Sequence, residues 1–142
     1  MGDMSIKTTL GQLLAANDSG ALKQVAEIIP PGGYQFRVAK LLDFVEREIV
    51  GFRKQNEALV KKYSTPDDKG NYTMIGASVE NVQAFNAGMQ ELVDEEVIIP
   101  YEPILWAKLG TEGQSKLSIA HVRALGPLLV EDEASARGLT SV

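Results

Sequence analysis

The sequence predicts a mainly α-helical fold with a minor two-stranded β element: a long antiparallel helical hairpin packed on short N- and C-terminal helices. Three observations lead there. A stretch of roughly 30 residues from Tyr34 to Tyr63 holds an unbroken helical pattern without proline, about 45 Å at 1.5 Å per residue. A second amphipathic stretch opens at Ser78, "PPGG" marks a hard stop before the pair, and Gly126–Pro127 ends a short last helix.

At the N-terminal side, "TTLGQLLAANDSGALKQVAEIIPPGG" reads as one or two short helices. Leu10, Leu13 and Leu14 form one apolar patch, and Leu22, Val25, Ile28 and Ile29 form another, with "NDSG" as the loop between them. In the long helix, Val38, Leu42, Val45, Ile49, Phe52, Asn56, Leu59 and Tyr63 alternate in steps of four and three. The first half adds off-seam apolar residues at Phe36, Leu41 and Phe44. The second is dominated by Arg53, Lys54, Gln55, Glu57, Lys61 and Lys62. The first half therefore belongs in a multi-helix core, and the second projects with a single partner helix. Gly51 costs about 1 kcal/mol relative to alanine in mid-helix, which suits a close helix crossing or a slight bend.

The partner helix is "SVENVQAFNAGMQELVDEE", with Ser78 as N-cap and Val82, Phe85, Met89 and Leu92 on the matching seam. A loop over 64–77 joins the two helices. Within it "DDKG" reads as a tight turn with Gly70 left-handed, leading to a short strand at 71–75. The expected mate is 96–101, "EVIIPY", closing a two-stranded clasp across the hairpin. Further on, Trp106 is expected to cover the core edge. Ser118 is the N-cap of a last helix, with Leu117 and Val122 as its hydrophobic staple, and Gly126–Pro127 ends it. The organisation is one helical domain over 1–130, its hairpin at 34–95, followed by a flexible acidic tail at 131–142.

Asn56 is the one polar residue on an otherwise apolar seam. An amide there gives up stability for register, because one alignment alone lets it find a partner such as Asn86, Gln83 or a carbonyl of the second helix. The other readings are a seam open to an external helix or strand, and an amide facing water on a bent helix.

Composition narrows function by exclusion. At 142 residues the chain suits one domain, and without cysteine it has no disulfide framework, thiolate site or thiol nucleophile. "MGDMSIKTTL" lacks a basic region followed by an apolar run, so no secretion signal is expected, and no apolar window is long enough to span a membrane. The net charge of −5 is uneven: 1–64 carry nine Lys/Arg against seven Asp/Glu, and 65–142 carry five against twelve. Phosphate neutralisation supplies most nucleic-acid affinity, so no direct nucleic-acid partner is expected.

No catalytic constellation emerges. His121, the single histidine, falls at the third position of the last helix with no serine motif beside it. Glu91, Asp94, Glu95 and Glu96 cluster at a helix C-terminus, where acids oppose the macrodipole. Consecutive carboxylates diverge, so the reading is a compensating cation (Arg47, Lys40 or a partner's lysine) ahead of a metal. "DDKGN" fails the calcium-loop template. No catalytic, metal or cofactor-binding residue is assigned, and no cofactor is expected. The candidate partner-binding residues are Asp67, Asp68, Lys69, Asn71 and Tyr72 in the loop, Asn56 on the seam, and Asp94, Glu95 and Glu96.

The order "TLGQLLAA…ALKQVAEI", "YQFRVAKLLDFVEREIVGFRKQNEALVKKY", a Gly-Asn loop, "VENVQAFNAGMQELVDEEVIIPYEPI" and "LSIAHVRALGPLL" resembles small uncharacterised proteins of tailed bacteriophages and prophages, a family of unknown function. The likeness spans Thr8 to Leu129 and carries no catalytic residues. It implies a phage setting, the host bacterial cytoplasm or the virion. The expectation is a non-catalytic protein-interaction factor that modulates a host protein through the hairpin and its loop, with homo-oligomers possible. The alternatives are a minor virion or assembly protein and a carboxylate-dependent metal enzyme.

Overall fold

The computed structural model describes residues 5–131. It is mainly α, with six α-helices and two small two-stranded sheets among the described residues. The tail expected at 131–142 falls outside them but for one residue. Its first residue, Glu131, is described, and its carbonyl accepts a hydrogen bond from Ala107 N–H at 3.4 Å.

Strand β1 (Ile6–Thr9) opens the chain and runs into α1 (Leu10–Asp18). Thr9 caps α1, its hydroxyl accepting from Gln12 N–H at 3.2 Å. Helix α2 (Ala21–Ala26) follows, and the prolines and glycines of 30–33 turn the chain into α3 (Gln35–Tyr63). Helix α4 (Val79–Val93) returns antiparallel along α3, with Ser78 accepting from Asn81 N–H at 3.1 Å as its cap. Strand β2 (Glu96–Ile99) then pairs with β1. After β3 (Ile104–Leu105) come α5 (Gly110–Ser115), α6 (Ile119–Leu125) and β4 (Leu129–Val130), which pairs parallel to β3.

The clasp is where expectation and structure part. Residues 96–99 pair with 6–9, in the register Ile6↔Ile99 and Thr8↔Val97, and not with 71–75. Ile6, Thr8, Val97 and Ile99 all face the core, while Lys7, Thr9, Glu96 and Ile98 face out. Period-two alternation on both strands fixes that register, because a one-residue slip would turn every buried side chain to water. Residues 71–75 form no strand; Tyr72 makes one isolated bridge to Pro66.

The core draws on β1, α1, α2, the first half of α3, β2, β3 and the segments after it. Leu13, Leu41, Val45, Ile99, Ile104, Leu109, Leu125 and Leu128 are fully enclosed. In α3 the buried residues are Val38, Leu41, Val45 and Ile49, and none lies beyond Ile49. Helix α4 has none. The molecule thus divides into a base, holding the core, and an arm, made of the second half of α3, the 64–78 loop and α4. This division matches the change in helix character read from the sequence.

Glycine placement shows how tight each part is. At Gly113 of α5 an added Cβ would sit 2.7 Å from Ile28 Cγ2, so α5 reaches the core only without a side chain there. In the arm, a Cβ on Gly88 would meet Leu59 Cδ2 at 3.1 Å. The close crossing of the hairpin is therefore at Gly88. Gly51, read as a close crossing or a slight bend, is not the crossing: it has open space around its missing Cβ.

Candidate functional site

The arm ends in two successive hydrogen-bonded turns. In the first, Asp67 is the organiser: its Oδ1 accepts from Lys69 N–H at 2.8 Å and Asn71 N–H at 2.9 Å. Its backbone N–H donates to Asn71 O at 2.8 Å and its carbonyl accepts from Gly70 N–H at 3.0 Å. Gly70 has φ +81, the left-handed geometry that the "DDKG" reading requires. In the second turn, Thr73 Oγ1 accepts from Ile75 N–H at 3.2 Å, and Met74 O accepts from Ala77 N–H at 3.1 Å across Gly76, at φ +84.

These turns project apolar side chains outward. Ile75 is 88% exposed and Val79, at the first position of α4, 72%. Tyr72 flanks them at 42%, with the Lys61 ammonium 5.9 Å from its ring centroid. At the foot of the loop, the Ser64 hydroxyl donates to Val60 O and closes the last turn of α3. Exposed apolar groups on a hydrogen-bonded tip suit a contact surface.

Of the candidate loop residues, Asp67 is a turn-former whose carboxylate is spent on backbone amides. Asp68, Lys69, Asn71 and Tyr72 are exposed at the tip. Ile75 and Val79 were missed, because an isoleucine in a loop reads as strand when the residues around it suggest alternation. The signal available was "TMIGAS": a short apolar pair followed by Gly and a cap serine.

Asn56 lies half-buried on the arm, and its side-chain amide makes no hydrogen bond among the described residues. It does not lock the register through Asn86, Gln83 or a carbonyl. Close packing at Leu59 and Gly88 holds the helices together at that level instead.

The acidic cluster is also distributed. Asp94 accepts both oxygens' worth of contact from Gln90 Nε2, at 3.0 Å each, one turn back on α4. Glu96 pairs with Lys7 at 3.7 Å across the β1–β2 sheet, so its cation is neither Arg47 nor Lys40. The Glu95 carbonyl accepts from Leu10 N–H at 3.0 Å, joining α4's end to α1, while its side chain is exposed. No group of three or more His, Asp or Glu side chains is placed to hold a metal among the described residues.

A second concave region lies at the base. Tyr34, Arg37, Lys40, Tyr101 and Glu102 line a groove of about 320 Å³ between the start of α3 and residues 100–104. Arg37 and Glu102 pair at 3.1 Å, and the Tyr101 ring meets Phe44 edge-on at 6.1 Å between centroids. The Tyr34 hydroxyl accepts from Leu105 N–H at 2.8 Å, anchoring β3 to the long helix. Burial pushes the Tyr34 phenol above its ordinary value; the Leu105 N–H opposes that shift, Glu102 adds to it and Arg37 reduces it.

His121 serves as a cap through its backbone N–H and Nδ1. Its backbone N–H donates to Ser118 Oγ at 3.1 Å, and its Nδ1 accepts from Ser118 N–H at 3.3 Å, completing a capping box with imidazole in place of the usual carboxylate.

No protein-family model, curated protein or solved structure matches this chain. No helix among the described residues is long and apolar enough to cross a membrane.

Proposed function

We propose that this chain is a non-catalytic protein-interaction factor, phage-encoded and acting in the host bacterial cytoplasm, which grips a host protein with the tip of its arm. The observation that carries this reading is the exposure of Ile75 and Val79 on a tip braced by two hydrogen-bonded turns. Ile29, Phe36 and Ile119 in the base are exposed to a similar degree, so it is the position of Ile75 and Val79 at the end of the arm that singles them out. The arm supports the same reading: it has no enclosed core of its own, and so extends outward rather than stabilising the base. A binding role over a catalytic one is favoured by the use of the single histidine in a helix cap.

The test is affinity capture from infected host lysate with wild-type protein and with Ile75→Ser/Val79→Ser. The expected result is a defined host protein recovered stoichiometrically by the wild type and lost with the variant. Each hot-spot truncation should cost about 2 kcal/mol of binding. Equal recovery by the variant would remove the tip from the interface, and recovery of phage structural proteins alone would assign the chain to virion assembly.

A further inference from the structure

Helix α3 carries a second heptad pattern, on the face turned away from the core. Lys40, Arg47, Lys54 and Lys61 recur every seven residues, and Phe36, Asp43, Val50 and Glu57 recur between them. One set is wholly basic; the other is acidic or apolar. Steps of four and three join the two sets into one stripe along the helix. The buried Val38, Leu41, Val45 and Ile49 lie on the opposite side.

Every residue of this stripe is exposed, including the large apolar Phe36 and Val50. The shallow concavity at its middle is lined by Asp43, Glu46, Arg47, Val50, Gly51 and Lys54, all residues of α3. Its charges are unused. The ion pairs among the described residues are Lys7–Glu96 and Arg37–Glu102, so neither Asp43–Arg47 nor Glu57–Lys61, spaced i, i+4, is closed. Gly51 borders the stripe with open space where its Cβ would be, which leaves room for another helix to come close.

We infer that this stripe packs on the same stripe of a second copy of the chain, α3 antiparallel to α3 about a two-fold axis. With the axis at the level midway between residues 48 and 49, Lys40 faces the partner's Glu57 and Asp43 the partner's Lys54. Arg47 lies over the partner's Val50, and Phe36 meets the stem of the partner's Lys61. The two-fold makes each contact twice, so the charge pattern is self-complementary. A parallel pair would instead set Lys40, Arg47, Lys54 and Lys61 each on its own copy, basic on basic, so the pattern selects the antiparallel form. The flank selects the register: Glu46 stands within a turn of the partner's Arg53. A shift of one heptad either way would set Glu46 on Glu46 or Arg53 on Arg53.

The area sets the strength. From Phe36 to Lys61 the stripe runs about 38 Å, and one helix presents a strip about 10 Å wide. The contact is therefore roughly 400 Å² per copy and roughly 800 Å² in total, below the about 1,200 Å² of a standard interface. Exposed ion pairs add little each, so the dimer is weak, reversible and salt-sensitive. Its evidence is independent of the tip, and so is its test.

Sedimentation of the full chain from about 10 μM to about 1 mM reads the self-association directly. A monomer–dimer equilibrium is expected, weakened several-fold by raising salt from about 0.05 to about 0.5 M. Asp43→Lys/Glu57→Lys and Lys40→Glu/Lys54→Glu should each weaken it at least about tenfold by setting like charges together. An equimolar mixture of the two variants should restore it, because each altered position then meets its opposite. All four positions are exposed, and circular dichroism checks that helicity is kept. The chain has no cysteine, so a single introduced thiol reports the direction of packing. Mild oxidation should cross-link Val50→Cys, whose copies meet near the axis. It should spare Ala58→Cys, whose copies lie about 28 Å apart along the helices. A wild type monomeric throughout, a dimer indifferent to salt and to both reversals, a mixture no tighter than its components, or equal cross-linking at 50 and 58 would overturn the inference. Ile75→Ser/Val79→Ser reads the tip alone, so loss of one property leaves the other measurable.

Discussion

Base and arm are made from the same helix, and the contrast between its halves shows what a two-helix extension lacks. Helix α3 packs against α1, α2 and β2 as well as α4, and the side chains it buries completely, Val38, Leu41, Val45 and Ile49, all fall in its first half. Beyond Ile49, Phe52 reaches the edge of the core, and it, Leu59 and Tyr63 are only half-covered. Helical periodicity is equal in the two halves; the number of elements available to enclose it is not. Folding stability is concentrated where burial is complete, because each fully buried aliphatic side chain contributes about 1.5–3 kcal/mol.

Substitutions at matched positions sharpen that contrast. The largest effect is expected in the base: Leu41→Ala, at a side chain 1% exposed, should cost about 2–5 kcal/mol in denaturant unfolding. Gly113→Ala should follow at about 1–3 kcal/mol, since its new methyl meets the β-branched, buried Ile28. The same change at Gly88 meets only the flexible end of Leu59, and alanine's helix propensity returns about 1 kcal/mol, so the net shift should be close to zero. A Gly88→Ala penalty as large as that of Gly113→Ala would mean the arm is packed as firmly as the base.

Tyr34 offers a pH-dependent comparison. Burial raises its phenol in the folded state, so the folded protein keeps that proton to higher pH than the unfolded chain. The associated stabilisation is complete below about pH 10, the ordinary tyrosine value, and falls as pH rises from there through the folded-state value. Unfolding free energy should therefore decline above pH 10 in wild type and less steeply in Tyr34→Phe. That variant should also lose about 1–3 kcal/mol at neutral pH, because Leu105 N–H loses its acceptor. The smallest effect belongs to the arm: Asn56→Leu should raise stability by up to about 1 kcal/mol, as a half-buried amide without a partner gives way to an apolar contact. Register should not change.

Much of the architecture was legible in the sequence because it rests on local rules. The Ser78 and Ser118 caps, the "PPGG" stop and the contrast between the halves of α3 follow from residue type and spacing. What escaped was long-range. Strand β1 is four residues long, and "IKTT" has no partner in sequence until "EVII", far along the chain. Pairing between such short strands is set by the base that gathers them, so proximity in sequence pointed to 71–75 instead. Asn56 shows the opposite error: heptad logic presumes a partner across the seam, whereas at that level the helices are held at Leu59 and Gly88. At the tip, Asp67 resembles a surface ligand in the sequence, and only the fold shows its carboxylate turned onto Lys69 and Asn71 N–H.

Native-state hydrogen exchange tests the division most directly. Amides of α4 and of α3 beyond Gly51 should exchange through a partial opening, at a free energy well below that of global unfolding, while those around Leu41 and Val45 exchange only with it. Uniform protection along the whole of α3 and α4 would contradict a stable base bearing a marginal arm.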